Sequence, residues 1–272
     1  MSSADLSVNY CGLELPNPLI VAPAAITETA DHLRRCEDAG AAAAVMKSYF
    51  EFEPARRHAT PRFKILRSGG PMASSVLYSF EQASVFDLDG YCEQIRRGRE
   101  ACSLALFASL NCNTPDHWQE ACAAVEQAGA HGIELNVSCP HGTHIMGGQD
   151  IVEAMIEALT IAREATSLPV VPKITPQLAR PDQAAVRLQE AGASAVVMFN
   201  RFTGLEIDVE AQRPILHGGY AGHGGPWALH YVLRWLTATY PHLTVPIAAS
   251  GGVFSGEAAV KAILAGATVV QV

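Results

Sequence analysis

Charge is scarce in this sequence, positive charge most of all. Lys and Arg number 19 against 27 Asp and Glu, charged residues make up only 17% of 272, and the formal net charge is −8. A nucleic-acid backbone needs clustered cations to displace its counterions, so it is excluded as the main partner. The small runs Arg56-Arg57 and Arg96-Arg97-Gly-Arg99 read as solvated faces. No apolar run approaches the ~20 residues of a membrane span. The start, Met1-Ser-Ser-Ala-Asp5, has neither the basic nor the apolar part of a secretion signal. The seven cysteines are odd in number and never at Cys-x-x-Cys spacing. That excludes a local zinc or iron–sulfur motif, argues against a disulfide framework, and fits reduced thiols in a cytoplasmic protein. There is no Gly-x-Gly-x-x-Gly dinucleotide turn and no Gly-x-Ser-x-Gly hydrolase elbow. Ten histidines are present, but they show no convergent ligand spacing, so no metal is expected.

Apolar residues are plentiful, at 49%, enough for a large filled core. One phrase recurs. Glu37-Asp-Ala-Gly40, Glu126-Gln-Ala-Gly129, Gln189-Glu-Ala-Gly192 and Ile263-Leu-Ala-Gly266 each end a helical pattern and lead into a short apolar run. The glycine supplies a left-handed cap, and the run enters a parallel sheet buried on both faces. Further strands are expected at Pro18–Pro23, Ser103–Ser109, Leu168–Lys173 and Val245–Ser250, with helices over Pro115–Ala128, Asp150–Thr166 and Pro181–Ala191. Eight β/α alternations in a length near ~250 residues predict an α/β fold of the (β/α)8 TIM-barrel type. The runner-up is a doubly wound open sheet, which would want the missing glycine-rich turn. Met46 and Met198 are expected to fill barrel layers, and Trp227 and Trp235 to be core.

A barrel gathers its chemistry at the carboxyl ends of its strands. The residues there are Ala22, Lys47, Ser109 with Asn111, Asn136, Lys173, Asn200 and Gly251-Gly252. Any one of them alone reads as a solvated loop residue; two lysines and three asparagines together point to a shared pocket. Two loops are too long to be plain connections. Tyr49–Asp87, inserted after strand 2, should form extra strands or a lip. Asn200–Gly225 ends in a glycine-rich stretch before a helix, where exposed amides suit a phosphate. Strand 4 runs into Asn136-Val-Ser-Cys-Pro-His-Gly142, placing Cys139 among polar groups, suited to proton transfer or nucleophilic attack. The plainer reading of Cys139 is a buried structural thiol.

Those segments resemble the FMN-binding barrels of dihydroorotate dehydrogenase and of the pyrimidine-reducing domain of dihydropyrimidine dehydrogenase. The resemblance runs from Gly12-Leu-Glu-Leu-Pro-Asn-Pro18 to the last residue. It rests on Asn136–Gly142, Lys47-Ser48, Lys173-Ile-Thr-Pro176, Gly218-Gly-Tyr-Ala-Gly222 and Ser250-Gly-Gly252. It implies one FMN-binding domain over residues 1–272, without the family's C-terminal closing helix, and a lid loop after strand 4. It also implies an oxidoreductase of pyrimidine metabolism acting on a CH–CH bond next to a carbonyl, with hydride passing to flavin N5. Cys139 would be the general acid/base, Lys173 would lie near the flavin N1/O2 edge, and Lys47 near other polar flavin atoms. Ala22, Ser48, Asn111, Asn136, Asn200, Gly222, Gly251 and Gly252 would complete the flavin site. Asn136, Ser138, His141, Asn200 and Arg201 would face the substrate. A separate electron acceptor (fumarate, a quinone or a protein) is implied, as is a homodimer.

The chain departs from the family in several places. Its lid is a few residues shorter than in dihydropyrimidine dehydrogenase and lacks that enzyme's Glu-Arg-Gly stretch. Two further departures concern the substrate. Arg201 follows Asn200 where the family has a small hydroxyl residue, and no asparagine-containing segment stands in Arg67–Phe80. Arg201 would anchor an anion on the substrate through its planar donor fork; alternatively it pairs with Glu206 or Asp208. Two other functions stay open: a Schiff-base aldolase using Lys173 as nucleophile, and a non-catalytic relative that only binds.

Overall fold

The computed structural model describes residues 4–53, 62–67, 75–80, 83–137, 150–215 and 221–272. Eight parallel strands close on themselves: β1 (Leu19–Val21), β2 (Ala43–Val45), β3 (Ala105–Asn111), β4 (Gly132–Leu135), β5 (Val170–Ile174), β6 (Val196–Met198), β7 (Ile247–Ser250) and β8 (Val269–Gln271). Each pairs with its neighbours in chain order. Ladders between β1 and β8 and between β2 and β3 complete the ring. All eight lie where the apolar runs place them, β3 running two residues further than expected. Seven helices surround them among the described residues: α1 (Ala30–Asp38), α2 (Leu88–Ala101), α3 (Pro115–Gln127), α4 (Ile151–Ala165), α5 (Pro181–Glu190), α6 (Ala228–Thr239) and α7 (Gly256–Leu264). This is the (β/α)8 barrel, and the open-sheet alternative is excluded by its closure. None of these helices is long and apolar enough to cross a membrane.

The four glycines of the recurring phrase, Gly40, Gly129, Gly192 and Gly266, all take positive φ, between 92° and 111°. The residue three positions before the glycine has a second use. Glu37 accepts hydrogen bonds from the backbone N and Oγ of Ser103, ahead of β3. Glu126 accepts from Thr166 Oγ1 and from Ser167 N and Oγ, ahead of β5. Gln189 accepts from Thr244 N and Oγ1 and from Val245 N, ahead of β7. Each clamp ties the end of one helix to the loop that starts the next strand but one. Together they tie down the amino-terminal rim of the barrel.

Inside the ring, side chains follow the period-two rule of strands. Ile20, Ala43, Val45, Phe107, Val171, Val197, Ala248 and Val269 form one buried apolar cluster, joined by Tyr10 and Leu15 of an amino-terminal hairpin (Val8–Tyr10, Leu13–Leu15) that plugs the base. Phe107 fits because its partner is Gly132: a Cβ there would lie 2.4 Å from the Phe107 ring. Burying a side chain of that size contributes about 1.5–3 kcal/mol. The second, larger cluster lies between strands and helices and contains Met46 and Met198. Those two therefore do not fill the barrel interior as expected, because each sits one residue out of phase with it. Trp227 is also not core: it precedes α6 and is 37% exposed, while Trp235 packs half-buried.

The two long loops meet. Strands Arg62–Arg67 and Ser75–Phe80 from the insertion after β2 join Ala221–Gly224 and Phe202–Gly204 from the segment after β6 in one four-stranded antiparallel sheet. Both loops leave carboxyl ends of strands, so this sheet springs from the same end of the barrel as the candidate residues.

Candidate active site

The alternation that fills the barrel with apolar side chains also fixes what stands at its mouth. Continuing the interior face of β3 past Phe107 gives Ser109 and Asn111. On β4, Gly132 leads to Glu134 and Asn136; on β5, Val171 leads to Lys173; on β8, Val269 leads to Gln271. All of these are buried, Lys173 at 5% exposure and Glu134 at 1%. A polar layer therefore caps the apolar one within the same cylinder.

The amides and hydroxyls form one chain. The Arg201 backbone N–H donates to Asn200 Oδ1 at 3.0 Å, and Asn200 Nδ2 donates to Asn136 Oδ1 at 2.8 Å. Asn136 Nδ2 donates to Ser48 Oγ at 3.0 Å, which is 2.7 Å from Ser109 Oγ. Asn111 Nδ2 donates to the Asn136 carbonyl at 2.7 Å. Tyr91 on α2 braces Ser109 from behind, its hydroxyl bonded to both the backbone N and O of that residue. Six sequence-selected residues, Ser48, Ser109, Asn111, Asn136, Asn200 and Arg201, thus share one network.

Both mouth lysines meet carboxylates, a buried one for Lys173 and a half-buried one for Lys47. Lys173 Nζ lies 3.3 Å from Glu134 Oε1 and 2.8 Å from Gln271 Oε1. Lys47 Nζ lies 3.5 Å from Glu28 Oε2. The other oxygen of Glu28 accepts from Ser84 Oγ and Val85 N, so it also ties down the end of the long insertion. Sequence reasoning missed Glu28, Glu134 and Gln271. For Glu134 and Gln271 a signal existed: a charged and an amide residue standing in phase with the interior of otherwise apolar strands. Glu28 had none, since it acts from a loop.

Ala22 follows β1, its N–H bonded to Val272 O, outside the polar network. Gly251 and Gly252 follow β7 with φ of 112° and 75°. A Cβ on Gly252 would lie 2.2 Å from the backbone N of Leu229, in the first turn of α6. Only glycine lets the two backbones approach this closely, and amides of a helix start are the usual seat for a phosphate. Gly222 stands beside half-buried Arg201; a Cβ on it would meet Arg201 Nε at 3.0 Å. Ser138, Cys139 and His141, with the loop that follows, lie outside the described residues.

This donor set suits a flavin mononucleotide. A buried, hydrogen-bonded ammonium stands at the mouth, as a ring edge that gains negative charge on reduction requires, and a backbone cradle too tight for a Cβ suits a phosphate. The described cysteines offer no competing reactive thiol. Burial raises the pKa of all six, Cys11 and Cys122 to about 12. Among the described residues no group of three or more His, Cys, Asp or Glu could hold a metal ion. A cavity of about 580 Å³ lined by Asn9, Cys11, Arg163, Gly192 and Ser194 includes none of the mouth residues.

The comparisons with known proteins agree with this geometry. The family model described as dihydroorotate dehydrogenase matches residues 5–272. The catalytic subunit of dihydroorotate dehydrogenase B (NAD(+)) from Methanothermobacter thermautotrophicus is 31% identical over 98% of this chain and 86% of its own length. The corresponding subunit from Pyrococcus abyssi is 30% identical over the same shares. The crystal structure of dihydroorotate dehydrogenase from Eimeria tenella in complex with ferulenol superposes with a TM-score of 0.70 at 18% identity, covering 98% of this chain and 78% of that one.

Proposed function

The chain belongs to the dihydroorotate dehydrogenase family, and from that premise we propose that it is an FMN-dependent oxidoreductase acting on the CH–CH bond beside a carbonyl of a dihydroorotate-like ring. The observation that carries the reading is the mouth of the barrel, where buried Lys173 and a hydrogen-bonded chain of amides from Asn111, Asn136 and Asn200 stand at the carboxyl ends of the strands. FMN bound there supplies the two-electron redox chemistry. The protein's own residues bind, orient and move the proton. Asn136 and Asn200 each offer a donor and an acceptor, as a cyclic amide or imide edge requires; to read such an edge they exchange the bonds they make to each other. Lys173 would face the charge that reduction develops, and Gly251 and Gly252 would admit the phosphate. Cys139, three residues beyond Asn136, exchanges the proton on the carbon next to the one that loses hydride. Arg201 anchors an anionic substituent of the substrate. The whole of residues 1–272 acts as a single unit, cytoplasmic and homodimeric. The named relatives are catalytic subunits, which supports electron transfer to a separate protein rather than to fumarate or a quinone.

The Schiff-base alternative is weaker. Lys173 is committed to two hydrogen-bonding partners and is 5% exposed, whereas a nucleophilic amine needs a free lone pair. The deciding experiment is a visible spectrum followed by anaerobic addition of dihydroorotate and, separately, dihydrouracil. A yellow protein bleached by dihydroorotate is expected. A protein that takes up no FMN, or one whose Lys173 is trapped by borohydride with a carbonyl compound, sinks the proposal.

A further inference from the structure

Lys173 is part of a closed ring of hydrogen bonds. Its Nζ donates to Gln271 Oε1 at 2.8 Å and to Glu134 Oε1 at 3.3 Å. Gln271 Nε2 donates in turn to Glu134 Oε2 at 2.5 Å. The three side chains come from β5, β8 and β4, so the ring crosses the barrel interior, and their exposures are 5%, 3% and 1%. Ions this deep are expensive unless their hydrogen bonds are satisfied. The amide is what closes the ring, because it accepts from the ammonium and donates to the carboxylate at once. Its orientation is thereby fixed.

We propose that Glu134 and Gln271 are positioning residues that set the charge presented to the flavin, so that the triad, and not Lys173 alone, sets the balance between reduced and oxidised cofactor. This rests on the flavin reading above. A reduced flavin carries more negative charge than the oxidised form. An isolated ammonium would favour the reduced form strongly. Glu134 offsets that pull, and the formal charge of the triad is zero. In a dry interior one unit of charge at this range is a large term. Glu134→Gln leaves the triad at plus one without changing its shape. Gln271→Glu takes it to minus one. The double variant moves the carboxylate from β4 to β8 and restores zero.

The test titrates apoprotein with oxidised and with anaerobically reduced FMN, with circular dichroism and thermal unfolding checking the fold of each variant. Glu134→Gln is expected to raise the ratio of affinities for reduced over oxidised FMN by about tenfold, equivalent to ~30 mV for a two-electron couple. Gln271→Glu is expected to lower it by a similar factor. The double variant is expected to return within about threefold of the parent, since its summed charge is unchanged. Folded single variants with an unchanged ratio, or with shifts in the same direction, overturn the proposal, since a merely structural role has no reason to follow the sign of charge. If a single variant does not fold, the double variant decides alone: a folded double variant displaced tenfold overturns it. Parent protein that takes up no FMN overturns the flavin reading and this inference together; uptake with a charge-blind ratio overturns this inference only.

Discussion

Asn136 is held on three sides: its Oδ1 by Asn200, its Nδ2 by Ser48 and its carbonyl by Asn111. An amide so constrained presents a known donor and a known acceptor to whatever replaces its neighbours, which is what a specific binding group needs. Cys139 follows three residues later in the sequence. If it moves the proton, Cys139→Ala should slow reduction of bound flavin by dihydroorotate by about 10²–10⁴-fold, the usual contribution of a positioned acid or base. Flavin affinity should stay unchanged. Stopped-flow absorbance under anaerobic conditions measures the rate, and full-speed reduction in the variant would falsify the proton-transfer role. Asn136 and Lys173 were legible in the sequence because each ends an apolar strand. Glu134 was harder to read, since a carboxylate inside a buried strand makes sense only once the lysine on the neighbouring strand and the glutamine across the barrel are seen beside it.

At the scale of the element, the helix-ending phrase does two jobs in three of its four copies. Its glycine turns the chain, and its first residue clamps the loop before a later strand. The hydroxyl and amide donors of Ser167 and Thr166 hold the Glu126 carboxyl below the usual carboxylate range, and Ser103 does the same for Glu37. A depressed folded-state pKa stabilises above the unfolded value, 4.5 for an ordinary glutamate, and that stabilisation is lost as pH falls through the lower folded value. Gln189 makes the same kind of clamp with no charge to titrate. We therefore expect Glu126→Ala to lower Tm by about 2–4 °C near neutral pH, taking the half-buried clamp as a whole at ~1 kcal/mol. The deficit should shrink below pH 4.5. Thermal unfolding of both proteins between pH 7 and pH 3 checks it; a deficit that grows on acidification would reverse the sign argued here. The repetition of the phrase was plain in the sequence. Which loop each copy would grip was not, because the partners Ser103, Ser167 and Thr244 are 66, 41 and 55 residues away.

Taken whole, the molecule joins an apolar cylinder to a polar mouth, and from that same end of the barrel two distant loops build one sheet. A ligand that binds only this folded state stabilises it by mass action, about 2.7 kcal/mol at a hundred times Kd. FMN at that excess should raise Tm by roughly 5–10 °C for a chain of this size, read by differential scanning fluorimetry against a riboflavin control. Riboflavin lacks the phosphate, so it should give the smaller shift if the Gly251-Gly252 cradle is used. An equal shift from both would remove the cradle from the site.

By itself the sequence determined the barrel, since eight short apolar runs separated by helical stretches leave few other closed arrangements, and strand order and spacing are local information. It also determined the rim to which Lys47, Asn111, Asn136, Lys173 and Asn200 belong, because a residue that ends a buried parallel strand has one place to go. Only the tertiary structure decided the partners. The Lys173–Glu134–Gln271 ring, the Glu28 tie on Lys47, and the sheet shared by the loops after β2 and β6 each join side chains or strands far apart in the chain. Their pairing is set by the curvature that closes the barrel, and no local pattern encodes it.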